Sequence, residues 1–474
     1  MEKAKKHLAK NIILFLLAMT MFLVVLDSAI VNVALPAIKS SLHFTAASLQ
    51  WVLTAYILTF GGFLMLGGRT ADLYGRRRIL VLGIGGFVLF SLLTGLSTSS
   101  TMLIVLRALQ GLAAALMAPT ALSILLTTFE EGNERNRALS IWSIVAAGGA
   151  AAGVFLGGVL TQYLGWRWCF FVNVPVGILA IMGILRFVPL HKLEGKNKQL
   201  DLPGAILVTG GLMALVYALT LASQSGWLAS ATLISFLVSF CLLAAFLFNE
   251  DRAKHPLIPL SVFRIRNVTG GNLIMLPIVA GALGMFYFLS LYIQNILHYS
   301  PVVSGLCFLP VPIIIGAISL RAPQLLDRFG LKPLAIAGIA LAALGVFWIS
   351  FLNVGASYWT QILPPFIIMA SGFGISFVAI TVISTSGVPS DEAGLASGLI
   401  NTSQQIGGAL GLAILAVVAN STTLADKAAG KSLVLATVHG YQLGFLCAAV
   451  LMTIALLVAI FVIHIPTVHK SQKH

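Results

Sequence analysis

Gly68-Arg69-Thr70-Ala71-Asp72-Leu73-Tyr74-Gly75-Arg76-Arg77-Arg78 is echoed far down the chain by Pro323-Gln324-Leu325-Leu326-Asp327-Arg328-Phe329-Gly330-Leu331-Lys332. In both stretches an aspartate stands three residues before a glycine, and a basic residue follows. Each stretch closes the second apolar run of a series, so the chain reads as a repeat with an offset of 255 residues. Six short-looped membrane helices occupy only about 190 residues, because a crossing helix needs about 20 apolar residues. The remaining 65 or so match two further helices and a loop at that same length. The reading is therefore two six-helix halves flanking an inserted pair.

Composition supports this reading. The chain has 474 residues, of which 59% are hydrophobic and 9% charged. Its mean hydropathy is +1.01. A soluble domain carries about 25% charge, so a water-soluble enzyme is excluded. Long unbroken apolar runs also exclude the alternating pattern of an outer-membrane barrel. Fourteen candidate spans follow, from Ile12–Leu35 to Gly440–Ile463, with Gly204–Ala222 and Ala229–Phe248 as the inserted seventh and eighth. The organisation expected is an N-terminal six-helix bundle over 1–190, an inserted segment over 191–266 and a C-terminal six-helix bundle over 267–474.

The net charge of +14 tests the count. With the N-terminus in the cytoplasm and the sides alternating, 23 of the 28 Lys and Arg residues fall inside. Four fall outside, and Arg107 lies within a span. Basic loops stay on the cytoplasmic side, and a miscount by one span would destroy the bias over half the chain. Both termini are thus expected in the cytoplasm of a multi-pass protein of the cell membrane, with compact loops of bacterial type. The excess of positive charge is read as topology and not as a nucleic-acid surface. The first run follows Lys3, Lys5, Lys6 and Lys10 without a small-residue cleavage site, so it is expected to remain as an anchor.

The loop at Gly68–Arg78 resembles the signature Gly-x-x-x-Asp-x-x-Gly-Arg-Arg/Lys of the major facilitator superfamily. Fourteen spans point to its drug:proton antiporter branch, the EmrB/QacA-like multidrug transporters. Five further stretches resemble that branch in order. These are Leu26–Pro36 in span one, Arg107-Ala108-Leu109-Gln110-Gly111 in span four and Trp166–Gly177 before span six. Asp201-Leu202-Pro203-Gly204 follows at the start of span seven, and Gly398–Gly408 in span thirteen. The span-five antiporter pattern is present as Gly149, Gly153, Gly157 and Gly158, with Val154 where the pattern has proline. The glycines remain as a packing surface, and the kink that proline would impose is lost.

The resemblance implies an all-α membrane protein of the major facilitator fold that exports amphiphilic small molecules by alternating access, driven by protons. Proton coupling needs a group that titrates inside the membrane. The other acids sort to loops and span ends, among them Glu2, Glu130, Glu131, Glu194, Asp201, Glu250, Asp391 and Glu392, whereas Asp27 sits deep in a span. A charge at that depth costs several kcal/mol, which makes it a functional residue by default. Arg107 is the basic residue inside a span, and Gln110, Gly111 and Ala114 share its helix face. Asp27 is expected to take the proton and Arg107 to set its affinity; a structural ion pair is the alternative.

Asn32, Tyr56, Gln110, Tyr292, Asn401 and Gln404 are the candidate substrate contacts, because amides and phenols in apolar spans bond either cargo or a neighbouring helix. Gly68, Asp72, Gly75, Arg76 and Arg77 are expected to form a gating loop, a latch at the inner mouth. No Walker lysine follows any glycine run and no HExxH occurs, so neither a nucleotide, another cofactor nor a metal is expected. The partners expected are an amphiphilic small molecule, protons and the lipid bilayer, with no nucleic acid, and the unit is a monomer. The same scaffold could instead export a lipid, a siderophore or an endogenous metabolite, work as an uncoupled facilitator, or serve as a membrane sensor.

Overall fold

The computed structural model describes residues 2–130, 133–189, 201–253, 256–258, 260–385 and 393–463. Of the acids named above, Glu131, Glu194, Asp391 and Glu392 lie outside these residues, as do the side chains of Glu2 and Asp327.

Fourteen helices are long and apolar enough to cross a membrane. Spans one to six are Lys10–Ser41, Ala46–Tyr74, Arg76–Gly95, Ser100–Thr128, Arg137–Tyr163 and Trp168–Phe187. Spans seven and eight are Leu202–Ala222 and Ser230–Arg252. Spans nine to fourteen are Arg266–Asn295, Pro301–Ser319, Leu331–Ile349, Tyr358–Ser384, Gly398–Ala428 and Leu433–Phe461. In lipid every backbone group must be bonded internally, and a helix does this by itself. Polar caps close the starts: Ser99, Asp201, Ser300 and Ser432 each accept a backbone N–H from the first turn of the helix that follows. Asp72, Lys332 and Arg266 lie at one end of the spans, the basic end; Lys39, Arg167 and Lys431 lie at the other.

The halves pack internally through glycine. Cβ atoms placed on Gly153 and Gly157 would stand 2.6 Å from Ala29 Cβ and 2.7 Å from Ile30 O, so span five lies directly on span one. Gly149 is looser, 3.3 Å from the Phe22 ring. Gly158 faces the other half, where a Cβ would be 2.4 Å from Pro301 O of span ten. Gly305 answers it, with a Cβ position 2.4 Å from Val154 O. Span five is helical without interruption through Val154. Span ten is broken after Phe308 and restarts at Pro310, where proline has no N–H to continue the ladder.

Three hydrogen bonds join the halves away from the basic end. Ser290 Oγ donates to Asn32 O at 2.7 Å and Gln294 Nε2 to Val33 O at 3.0 Å. The Val302 N–H donates to Gln162 Oε1 at 3.2 Å. The inserted pair sits to one side. Span seven packs against span two of the first half and span thirteen of the second, and span eight rests on span seven. The Gln50 amide and the Trp51 indole both donate to Thr220 Oγ1 of span seven.

Candidate functional site

Asp27 lies mid-helix in span one and is completely buried. Arg107, also fully buried, reaches it from span four, with Nη1 2.6 Å from Asp27 Oδ2. The same Nη1 donates to Gln110 Oε1 at 2.7 Å, one helical turn further along. Arg107 Nε donates to Val52 O at 3.0 Å, which ties the guanidinium to the backbone of span two. Its carbon lies 4.3 Å from the centre of the Tyr56 ring and 5.7 Å from that of Phe170. The cation is thus held by a carboxylate, an amide, a carbonyl and two aromatic faces.

The other oxygen of Asp27 accepts two amides. Gln110 Nε2 and Asn173 Nδ2 each stand 2.9 Å from Oδ1. Gln110 Nε2 also donates to Ser91 Oγ of span three at 2.7 Å. Spans one, two, three, four and six therefore converge on one carboxyl group. Three donors on one side chain is the arrangement an ionised carboxylate takes in a dry interior. Removing one partner of such a pair strands the other charge unless a neutral group of the same shape keeps its hydrogen bonds.

Local structure explains the convergence. Gly111 lets span four press on span two, since a Cβ there would fall 2.2 Å from Tyr56 O and 2.3 Å from Thr59 Oγ1. Thr59 closes this contact by donating to Ala108 O at 2.7 Å. A side chain at position 111 would force Val52 and Tyr56 away from Arg107. We expect Gly111→Val to destabilise the fold by about 1–3 kcal/mol through overpacking, read as loss of thermal stability in detergent. Asn173 owes its position to a break in span six. The turn Trp168–Phe171 ends, and the main helix restarts at Asn173.

Of the residues picked from sequence, Asp27, Arg107, Gln110 and Tyr56 meet. Asn173, an intramembrane amide that the sequence also offers as a partner for cargo or a neighbouring helix, completes the cluster with Ser91, which had no place in the picked site. Asn173 lies in a stretch that resembles a family pattern, whereas nothing in sequence separates Ser91 from other span serines. Several buried polar atoms here lack a hydrogen-bond partner among the described residues: Arg107 Nη2, Tyr56 Oη, Asn173 Oδ1 and Asn32 Oδ1. Asn32 is half-buried, its Nδ2 donating to Ser28 O at 3.1 Å. Tyr292 stands apart, wholly buried in the second half, where its hydroxyl donates to Asn353 O. Asn401 is exposed and Gln404 half-buried on span thirteen. The neighbouring Gln405 packs its Cβ against Gly61 of span two.

The Gly68–Arg78 loop is compact. Span two ends at Tyr74, and Gly75 turns the chain at φ +98°, a conformation that favours glycine. Arg76 Nε and Nη2 donate to Asp72 Oδ1 at 3.0 and 2.9 Å. The pair is exposed and local, and it does not reach across to the second half. Arg77 donates to Leu185 O at the end of span six. The close helix approach beside this loop is made by Gly67 and not by Gly68. A Cβ on Gly67 would lie 2.0 Å from Ala115 O, but one on Gly68 meets nothing nearer than Pro119 Cβ at 3.6 Å. Gly67→Ala should therefore impair folding while Gly68→Ala leaves the yield of folded protein unchanged, as measured by size-exclusion chromatography in detergent.

Glu250 lies at a span end, as the sequence suggests, but is buried there. It belongs to the last turn of span eight and is only 3% exposed. Among the described residues no group of three or more His, Cys, Asp or Glu is placed to hold a metal ion.

Comparison with known proteins identifies the scaffold. The sequence model of the Major Facilitator Superfamily matches residues 17–412. The chain is 42% identical over 429 residues to the puromycin resistance protein pur8 of Streptomyces alboniger, covering 88% of this chain and 84% of that one. It is 41% identical over 415 residues to the cephamycin export protein CmcT of Amycolatopsis lactamdurans, covering 86% and 84%. Among solved structures, an auto-inhibited peptide transporter of the POT family superposes with a TM-score of 0.69 at 17% identity, covering 97% of this chain and 98% of that one. A fourteen-span, all-helical, multi-pass membrane protein with these matches is a transporter and not an enzyme, and the chain belongs to the Major Facilitator Superfamily.

Proposed function

We propose that the chain exports amphiphilic small molecules of the antibiotic type in exchange for protons, with Asp27 as the proton-binding residue. The carrying observation is the wholly buried Asp27–Arg107 pair at the meeting point of five spans. A proton can settle on Asp27 only as its three donors loosen, because a protonated oxygen no longer accepts from each of them. Loosening frees Arg107, Gln110 and Asn173, which sit on spans four and six, and lets the first half change shape. Titration at one carboxyl would thereby bias which mouth is open. Relatives named for puromycin resistance and cephamycin export, at 42% and 41% identity, support the drug-like cargo.

In this reading the basic end, with both termini, faces the cytoplasm of a bacterial cell, as the positive-inside rule requires. The functional units are the bundle over 1–190, the inserted helices over 191–266 and the bundle over 267–474, acting within a monomer. Cargo meets Asn32, Asn401 and Gln404, whose amides lie away from the proton cluster. Tyr56 and Gln110 serve that cluster itself, and Tyr292 supports the second half. The Asp72–Arg76 loop works as a latch that engages the other half when the basic end closes. One acid in the cluster suits neutral or singly charged cargo.

The test is transport of puromycin and other amphiphilic antibiotics in proteoliposomes with an imposed pH gradient. Uphill movement that collapses with a protonophore is expected. Movement down the cargo's own gradient alone would make the chain an uncoupled facilitator. Cargo itself can be found by thermal-shift screening at two pH values, comparing wild type with Asp27→Asn.

A further inference from the structure

At the basic end of the inserted pair two buried acids meet. Asp201 caps span seven, its Oδ1 accepting the Gly204 N–H at 2.9 Å. Asn249 Nδ2 donates to both of its oxygens, at 3.0 and 2.9 Å. Glu250 enters from span eight, and its Oε2 accepts the Ile258 N–H at 2.9 Å. Its Oε1 is buried and has no donor. That oxygen turns toward Asp201: Asp201 Oδ2 and Glu250 Oε1 lie 2.4 and 2.9 Å from the point where a Cβ on Gly204 would stand. Both carboxyl groups thus crowd the same place beside Gly204, although every oxygen in an ionised pair is an acceptor.

The described surroundings form no ion pair with either acid. Asp201 is 7% exposed and Glu250 3%. Among the described residues neither has a Lys, Arg or His partner. Span seven carries no charged residue. On span eight, Asp251 is exposed and Arg252 lies over the Phe248 ring at 4.0 Å. Arg69 is the cation on the neighbouring turn of span two, and Lys254 and His255 fall outside the described residues.

We infer that Asp201 and Glu250 form a proton-binding site that holds one proton between two carboxyl groups and clamps the inserted pair to the first half. Two ionised carboxylates crowded in a dry site repel, and a single shared hydrogen removes the repulsion and gives Glu250 Oε1 its missing bond. Glu250 holds the Ile258 backbone, and the preceding Leu257 is buried with Leu66 of span two and Ala205 of span seven. Loss of the proton at higher pH leaves two facing charges, so the clamp loosens on the alkaline side. The site is separate from Asp27 and does not depend on the role given to it.

Infrared difference spectroscopy on the full-length protein in lipid, titrated between pH 5 and 9, about the span over which raised carboxyls titrate, tests the site. Wild type should show a carboxylic C=O band that disappears with rising pH. Glu250→Gln should abolish it, Asp201→Asn should move its midpoint by about one pH unit or more, and Asp27→Asn should leave it in place. A band that survives Glu250→Gln, or is unmoved by Asp201→Asn, overturns the shared proton. So does a carboxylate signal that responds to sodium or potassium but never to pH. Should a variant fail to fold, wild type still decides. After correction for intrinsic chemistry, amide exchange at Leu257 and Ile258 must quicken with pH, and a flat profile refutes the clamp.

Discussion

Asp27→Asn should give a folded protein whose pH-driven, uphill export falls at least about 100-fold, equivalent to about 2.7 kcal/mol in the driven step. The substitution keeps the size of the side chain and an oxygen for Arg107 Nη1, which stands 2.6 Å away. Gln110 Nε2, at 2.9 Å, keeps Ser91 Oγ as a second acceptor. What disappears is the change of charge. The site is fixed in its neutral condition, so a pH gradient has nothing to act on. Exchange of labelled for unlabelled cargo, which needs no net proton movement, should persist. A variant that still builds a cargo gradient from a pH gradient would remove Asp27 from the mechanism.

Arg107→Met is expected to damage the fold more than Asp27→Asn does. It leaves a carboxylate with 0% exposure and no cation, a loss of about 3–5 kcal/mol for buried pairs broken from one side. Arg107→Lys should fail to rescue it. One ammonium cannot satisfy Asp27, Gln110 and the Val52 carbonyl along the directions of a planar fork. Combining Arg107→Met with Asp27→Asn removes the stranded charge, so the double variant should melt above Arg107→Met alone. If the two substitutions instead add without interaction, the pair is not an energetic unit. Thermal unfolding of the four proteins in one detergent at one pH completes the cycle.

Most of the architecture could be read from the sequence because the membrane imposes length and charge rules that act locally. Apolar runs of helical length, the asymmetry of Lys and Arg and the echo of Asp72 at Asp327 gave fourteen spans and the inserted pair. Asp27 and Arg107 were legible for the same reason, as charges where charges are costly. Their partners were less so. Ser91 and the Val52 carbonyl are ordinary groups whose importance arises only when spans two and three are folded against span four. Tyr292 shows the converse, a plausible polar residue that packs into its own half. Gly68 was picked as part of the loop signature, but the helix phase makes Gly67 the residue that lies against Ala115. Glu250 reads from sequence as an acid at a span end, which it is, and only the packing of spans seven and eight reveals that it is buried.

Where spans five and ten cross, Gly158 lies on the main chain at Pro301 and Gly305 on the main chain at Val154. Neither contact plugs a side chain into a socket, so the seam resembles a plain bearing without gear teeth. One half can roll over the other there once the Val302 N–H leaves Gln162 Oε1, with no interlocked side chain to extract at the two glycines. A mechanism pivoting on such a joint takes its direction of travel from the gradients on its two faces, and reversing them would run the same motor backwards.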